Sequence, residues 1–163
     1  MSGLIFDAMV FAMEKHKDQK RKFTGNPYFN HLAEVAGITA AAEPENKVAI
    51  AVAWLHDVME DQHVSANEIE KNFGWLVMSG VAALSDMESG NRNERKRLSR
   101  ERLAKQPRWI QNIKVADIIS NTSSVSLHDP NFAKIYLAEK RLMLDVLTRA
   151  DTDLLAIARK LIG

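Results

Sequence analysis

The sequence has 163 residues and no cysteine, and its 22 lysines and arginines against 21 aspartates and glutamates leave a formal net charge of +1. A hydrophobic fraction of 46% and a charged fraction of 26% are ordinary for a folded globular protein and exclude global disorder. The length predicts one domain over residues 1–163. The absence of cysteine excludes disulfides and thiolate metal sites, and the near-neutral charge argues against a dedicated nucleic-acid-binding protein.

The longest uninterrupted apolar run, residues 48–55, has eight residues. A membrane-spanning helix needs roughly 18, so no membrane span is predicted. The first residues lack a basic leader and include the acidic Asp7, which is unlike a signal peptide. We therefore expect a cytoplasmic protein with no membrane partner.

The spacing of apolar residues is helical along most of the chain, and no strand-like alternation of any length is present. The sequence therefore predicts an all-α fold. Ser65 and Glu68 have the spacing of a capping box that opens a short helix, and the Ser-, Thr- and Asn-rich residues 120–126 predict a loosened segment. The other predicted helical segments are residues 5–13, 31–42, 47–60, 75–86, 92–105, 109–119, 132–147 and 154–162.

Polar residues interrupt two of the most apolar segments. His56 and Asp57 lie in the segment 47–60, where an unpaired carboxylate is costly to bury. On a continuous helix, Glu60 would share the face of His56 and Asp57, with Asp61 at its edge. In the same way Asp117 interrupts the apolar residues 115–119, and Asn121 follows it by four residues.

Each of these residues also has an ordinary explanation. His31, in a third predicted helix, could be a core or capping histidine, and Asp117 could form an ion pair with Lys114. Their convergence from three separate helices nevertheless favours a common site. Imidazole and carboxylate ligands together suit a divalent first-row metal ion, and two of each leave coordination positions open for water.

A set of motifs in a fixed order resembles the RelA/SpoT-type alarmone hydrolases of the HD-domain family, over roughly residues 8 to 121. The motifs are KHKDQKRK at 15–22, GNPYFNH at 25–31, LHDVMED at 55–61, FG at 73–74, LSD at 84–86, ERKR at 94–97 and KVAD at 114–117 with Asn121. The Gly-x-Pro-Tyr and Glu-Asp motifs make the resemblance more specific than His-Asp alone.

The resemblance implies a helical HD-domain phosphohydrolase fold and removal of pyrophosphate from the 3′ position of guanosine 3′,5′-bispyrophosphate-type alarmones. It implies Mn²⁺ as the metal, with Glu60 and Asp61 as the catalytic acid pair. The metal ligands would be His31, His56, Asp57 and Asp117. The residues that would contact the nucleotide are Arg21, Lys22, Arg92 and Asn121, with Tyr136 and Lys140 as further candidates.

Several alternatives stay open at this point. Adenine analogues of the alarmone are also candidate substrates, and the oligomeric state is undetermined. The chain could instead be another HD-domain nucleotide phosphohydrolase, or a non-catalytic nucleotide-binding module. The basic residues 92–108 are either a solvated helix face or a positive wall that attracts an anionic nucleotide.

Overall fold

The structure, a computed structural model, describes residues 3–128 and 130–163. Over these two ranges the secondary structure is helical, without a strand, which confirms the all-α prediction. The helices are α1 (Leu4–Lys15), α2 (Tyr28–Ala42), α3 (Lys47–Leu55), α4 (Val58–Gln62), α5 (Ala66–Phe73), α6 (Trp75–Leu84), α7 (Arg92–Ala104), α8 (Arg108–His128), α9 (Pro130–Val146) and α10 (Thr152–Ile162). No helix in the described ranges is long and apolar enough to cross a membrane.

Helix α3 lies in the middle of the fold. Its side chains from Ala49 to Leu55 are buried, and it packs against α1, α2, α6 and α8. Helix α6 approaches α3 and α8 closely at Gly80, where a Cβ atom would lie 2.8 Å from the Trp109 ring and 3.0 Å from Val52. An apolar helix surrounded by helices explains why the segment shows almost no polar face.

The sequence predicted one helix over residues 47–60, and this is wrong. Helix α3 ends at Leu55, and α4 begins at Val58 after the two turn residues His56 and Asp57. The φ and ψ angles of Asp57 are −102° and 0°, outside the regular helical values. Neighbouring side chains on a regular helix point about 100° apart. The turn instead lets both side chains reach one point, with His56 Nε2 only 3.0 Å from Asp57 Oδ2.

Helix α8 continues through residues 120–126, so the predicted loosening of this segment is also wrong. The hydroxyl groups of Thr122 and Ser124 donate to the backbone carbonyls of Ile118 and Asn121 within the helix. These bonds satisfy the polar side chains without opening the helix. The predicted cap of α5 is confirmed, because Ser65 Oγ accepts a hydrogen bond from the Glu68 amide at 3.1 Å.

Candidate active site

His31, His56, Asp57 and Asp117 converge at the centre of the helical fold, as the sequence predicted. One ligand atom from each lies within 4.8 Å of all the others. His31 Nε2 is 3.3 Å from Asp117 Oδ1, and His56 Nε2 is 3.6 Å from the same oxygen. Helix α2 supplies His31, the turn between α3 and α4 supplies His56 and Asp57, and α8 supplies Asp117.

The donor atoms of this cluster suit a divalent cation. His31 Nε2 and His56 Nε2 are buried and accept no hydrogen bond from the described residues. His56 Nδ1 lies 2.7 Å from the carbonyl oxygen of Ala53. Because a carbonyl oxygen only accepts, Nδ1 carries the proton of the neutral ring, and the lone pair is then on His56 Nε2, which faces the carboxylates. Two imidazole nitrogens and two carboxylate oxygens with this orientation match a first-row metal site.

The electrostatics of the cluster also favour a cation. Burial opposes a positive charge on His56, but the carboxylates of Asp57 and Asp117 outweigh it and raise its pKa well above the usual value. Burial likewise opposes the charge of Asp57, but the adjacent His56 and His31 hold its pKa well below the ordinary range. The aspartates of the cluster are therefore ionised, and their buried negative charge needs positive charge beside it.

Asp117 uses its two carboxylate oxygens differently. Oδ1 belongs to the cluster and also accepts a hydrogen bond from Asn121 Nδ2 at 2.9 Å, while Oδ2 pairs with Lys114 Nζ at 3.0 Å. The sequence had left a cluster role and a Lys114 ion pair as alternatives for Asp117. In the structure both are present, because a carboxylate has two oxygens to share.

The two acidic residues predicted as catalytic, Glu60 and Asp61, lie on α4 beside the cluster. Glu60 Oε2 accepts a hydrogen bond from the Asp86 amide at 3.0 Å. Burial raises the pKa of Glu60 to about 7, despite that hydrogen bond. Burial, followed by the charge of Asp57, raises the pKa of Asp61 as well. Glu60 is therefore suited to hold and release a proton near neutral pH, and Asp61 keeps its proton to a higher pH than an ordinary aspartate does.

Sequence reasoning did not select Gln19, which holds Asp61 in place. Gln19 Nε2 donates to Asp61 Oδ2 at 3.0 Å, and Gln19 Oε1 lies 2.7 Å from Gln62 Nε2 and 2.6 Å from His16 Nδ1. With Oε1 occupied by donors, the amide nitrogen of Gln19 is directed at Asp61. Gln19 lies within the motif at residues 15–22, where only the basic residues had been assigned a role.

Two cavities open beside the cluster and share the lining residues Tyr28, Glu60, Lys96, Asn121 and Lys140. The smaller cavity, of about 190 Å³, reaches His56, Asp57, Asp61 and Asp117. The larger cavity, of about 460 Å³, is mostly cationic and aromatic. Its remaining lining residues are Arg21, Lys22, Phe23, Arg92, Ser124, Val125, Phe132, Tyr136 and Glu139.

The predicted nucleotide-contacting residues all line one or both cavities, but their surroundings differ. Lys22 Nζ lies over the Phe23 and Phe132 rings at 5.5 and 5.3 Å. Arg92 is already paired with Glu139, with contacts of 2.7 and 3.0 Å. Both Arg92 and Glu139 line the larger cavity, so a phosphate group that binds Arg92 would compete with this carboxylate.

Arg21, Tyr136 and Lys140 complete the predicted set. The guanidinium of Arg21 contacts Glu34 and donates to the carbonyl oxygen of Ser120 at 2.9 Å. Tyr136 is buried in the wall of the larger cavity, with Lys140 Nζ 5.0 Å from its ring centre. Burial, followed by repulsion from Lys114, lowers the pKa of Lys140 to about 7, so an anion beside it would restore its charge.

The helical fold and its buried two-histidine, two-aspartate cluster, which could hold a metal ion, are of the His-Asp type. A family model described as "HD domain" matches residues 8–119. This match extends from α1 into α8 and includes every residue of the cluster. The chain therefore belongs to the HD-domain family.

Among curated proteins, the chain is similar to two enzymes named guanosine-3′,5′-bis(diphosphate) 3′-pyrophosphohydrolase MESH1. The protein from Drosophila melanogaster is 34% identical over 131 residues, which are 79% of this chain and 73% of that protein. The human protein is 34% identical over 128 residues, 77% of this chain and 72% of that protein. The GTP pyrophosphokinase rsh of Brucella melitensis is 36% identical over 63% of this chain, but that region is only 14% of its own length.

A solved structure supports the same grouping. It is described as "A metazoan ortholog of SpoT hydrolyzes ppGpp and plays a role in starvation responses". The two chains have a TM-score of 0.90 at 27% sequence identity, over 99% of this chain and 94% of the other. The similarity extends beyond residue 121, where the sequence motifs end, and thus includes α9 and α10.

Proposed function

We propose that this chain is a metal-dependent 3′-pyrophosphohydrolase of guanosine 3′,5′-bis(diphosphate)-type alarmones. The main observation is that His56, Asp57 and Asp117 of the buried cluster line a small cavity, and that this cavity shares five lining residues with a larger cationic, aromatic cavity. A strongly anionic nucleotide fits such a cavity by charge, and its base fits the aromatic wall. Residues 1–163 would form one catalytic domain, since a continuous core includes side chains from α1 to α10.

We infer that the four clustered residues hold one divalent cation, with Mn²⁺ as the proposed metal. When bound, the cation supplies a Lewis acid beside the phosphoryl group that reacts. His31 and His56 would bind it through Nε2, and Asp57 and Asp117 would each offer a carboxylate oxygen. The hydroxyl group of Tyr28 would orient Asp57, because it donates to Asp57 Oδ2 at 2.6 Å.

Glu60 and Asp61 would manage the protons of the reaction. Hydrolysis adds water to the phosphorus attached to the 3′ oxygen, breaks that P–O bond and releases pyrophosphate. One carboxyl group accepts the proton of the attacking water, and the other supplies a proton to the departing 3′ oxygen. Burial raises the pKa of both groups, to about 7 for Glu60, and Gln19 keeps Asp61 in position.

The larger cavity would bind the rest of the nucleotide. Lys22 and Lys140 would face phosphate groups, and Arg92 would do so in competition with Glu139. Asn121 lines both cavities and would lie beside the ribose, with Tyr136 and Phe132 against the base. Because a nucleotide with several negative charges does not cross a bilayer unaided, we also propose the cytoplasm as its compartment.

A hydrolysis assay tests this proposal. The purified chain is supplied with Mn²⁺ and with either guanosine or adenosine 3′,5′-bis(diphosphate), and pyrophosphate release is followed by chromatography. We expect turnover that chelator abolishes, and the ratio of the two rates measures base preference. Asp57→Ala should lose metal binding and turnover together, whereas Glu60→Gln should lose turnover and still bind metal.

Three results would contradict the proposal. If the metal-loaded chain hydrolyses neither compound, the alarmone assignment is wrong, and other phosphorylated nucleotides become the substrates to test. If Asp57→Ala keeps full metal-dependent turnover, the proposed ligand set is wrong. If the chain binds the nucleotides but leaves them intact, it is a binding module rather than an enzyme.

A further inference from the structure

In both histidines of the cluster, Nε2 faces the aspartates and Nδ1 faces away from them. The two Nδ1 atoms contact different groups. His56 Nδ1 faces the backbone carbonyl of Ala53, one turn earlier in the chain. His31 Nδ1 instead faces a side chain, the hydroxyl oxygen of Ser120, at 2.9 Å. Both His31 and Ser120 are buried. A hydroxyl group can donate or accept, so Ser120 by itself does not determine which nitrogen of His31 carries the proton.

Glu34 removes this ambiguity. Ser120 Oγ lies 2.5 Å from Glu34 Oε2, and the carboxylate is paired with the guanidinium of Arg21 at 3.2 Å. An ionised carboxylate only accepts hydrogen bonds, so the single hydroxyl proton of Ser120 points to Glu34. The oxygen of Ser120 must then accept from His31 Nδ1–H. When the ring is neutral, the lone pair of His31 consequently lies on Nε2, the atom that faces Asp57 and Asp117.

We propose that Glu34 and Ser120 are positioning residues for the metal ligand His31. Together they keep the proton on Nδ1 and leave Nε2 free to bind the divalent cation. If Glu34 did not accept its proton, Ser120 would be free to donate to Nδ1, and the proton of His31 would move to Nε2. That tautomer has no lone pair directed at the metal. This inference rests on the metal centre of the proposed function but not on its substrate.

Arg21, which lines the larger cavity, stabilises the contact between Glu34 and Ser120. Its guanidinium contacts both oxygens of Glu34 and donates to the carbonyl oxygen of Ser120 at 2.9 Å. These bonds hold Glu34 and Ser120 together although they lie on different helices, α2 and α8. The group that hydrogen-bonds the second ring nitrogen of a metal-binding histidine typically raises metal affinity by about 10- to 100-fold.

Calorimetric titration of the full chain with Mn²⁺, after chelator treatment and without nucleotide, tests the inference. Glu34→Ala and Ser120→Ala should each weaken Mn²⁺ binding by about 10- to 100-fold. Glu34→Gln and Ser120→Thr are the matched controls. Glu34→Gln removes the same charge as Glu34→Ala but keeps an oxygen acceptor, and Ser120→Thr keeps the hydroxyl group. Both controls should bind Mn²⁺ nearly as tightly as the wild-type chain.

The inference is overturned if Glu34→Ala binds Mn²⁺ as tightly as wild type, or if Glu34→Gln weakens binding as much as Glu34→Ala. The Glu34 side chain is 48% exposed, so its replacement tests the idea even if Ser120→Ala does not fold. A second readout is ¹⁵N NMR of the Zn²⁺-loaded chain, in which His31 should carry its proton on Nδ1. A proton on Nε2 would overturn the inference. A wild-type chain that binds Mn²⁺ but hydrolyses nothing would contradict only the proposed function.

Discussion

At the scale of single residues, Glu60 on α4 links the site to pH through the desolvation of its carboxyl group, although its side chain is exposed. Its pKa rises from the ordinary 4.5 to about 7, mainly because burial penalises the charged form. Between these two values the folded chain keeps a proton that the unfolded chain has lost. Stability therefore falls as the pH rises through this window, and the cost is fully present above it. An enzyme that needs a proton donor near neutrality accepts such a cost at its site.

Glu60→Gln should consequently stabilise the metal-free chain at pH 8, because glutamine resembles the protonated acid. Because the Glu60 side chain is exposed to solvent, screening weakens the effect, and we expect a gain of about 1 kcal/mol in the free energy of unfolding, with little difference at pH 4. Urea unfolding at the two pH values measures it. Glu45→Gln, at an exposed position, is the control and should change stability equally at both. A pH-independent effect of Glu60→Gln would show that the carboxyl group titrates normally.

At the scale of helices, the site depends on how closely α6 packs against α3 and α8. Gly80 makes this approach possible, because a Cβ atom there would overlap the ring of Trp109 at 2.8 Å. Val52 on α3 lies 3.0 Å from the same position, so neither side offers space. Since α3 leads into His56 and α8 contains Asp117, the packing of these helices sets the separation of the proposed metal ligands.

Gly80→Ala should therefore lower the free energy of unfolding by about 1–3 kcal/mol, the usual cost of overpacking a core. Gly37→Ala is a matched control, since Gly37 lies in helix α2 with no atom within 4 Å of a built Cβ. Alanine there should be neutral or stabilising, because it lowers the entropy cost of the helix. Thermal unfolding of both variants measures the difference. Equal melting temperatures for Gly80→Ala and Gly37→Ala would mean that α6 can move away from α3 and α8 without loss of stability.

At the scale of the whole molecule, the cluster of His31, His56, Asp57 and Asp117 joins segments from distant parts of the chain. His31 lies on α2, His56 and Asp57 follow α3, and Asp117 lies on α8. A cation that binds only the folded chain stabilises all of them together. In its absence, the buried carboxylates depend on protonated histidines and, for Asp117, on Lys114 for their compensating charge.

Chelator treatment should thus lower the melting temperature. At a metal concentration 100 times the dissociation constant, binding contributes about 2.7 kcal/mol, which corresponds to about 5–10 °C for a chain of this size. Differential scanning calorimetry with and without Mn²⁺ measures the shift. Asp57→Ala should abolish it and Glu60→Gln should retain it. A wild-type melting temperature that does not respond to metal would contradict the proposed centre.

Much of this molecule follows from the amino-acid sequence by itself. Helical spacing of apolar residues predicts the all-α fold, because each helix must bury one face. Asp57 and Asp117 in apolar surroundings predict a shared site, because an isolated buried carboxylate is too costly. The roles assigned to Glu60, Asp61 and the nucleotide-contacting residues remain predictions, although the structure brings them together around two adjoining cavities.

Tertiary structure decided the remaining features, which depend on contacts between distant segments. The helix break at residues 56–57 directs two neighbouring side chains to one centre, and local spacing does not indicate it. Arg21 and Ser120 are 99 residues apart in the chain, yet a hydrogen bond between them helps to hold Ser120 next to His31. Helical periodicity records which face of a segment is buried. It does not record which polar side chains meet across that face, since their partners are chosen only when the helices pack.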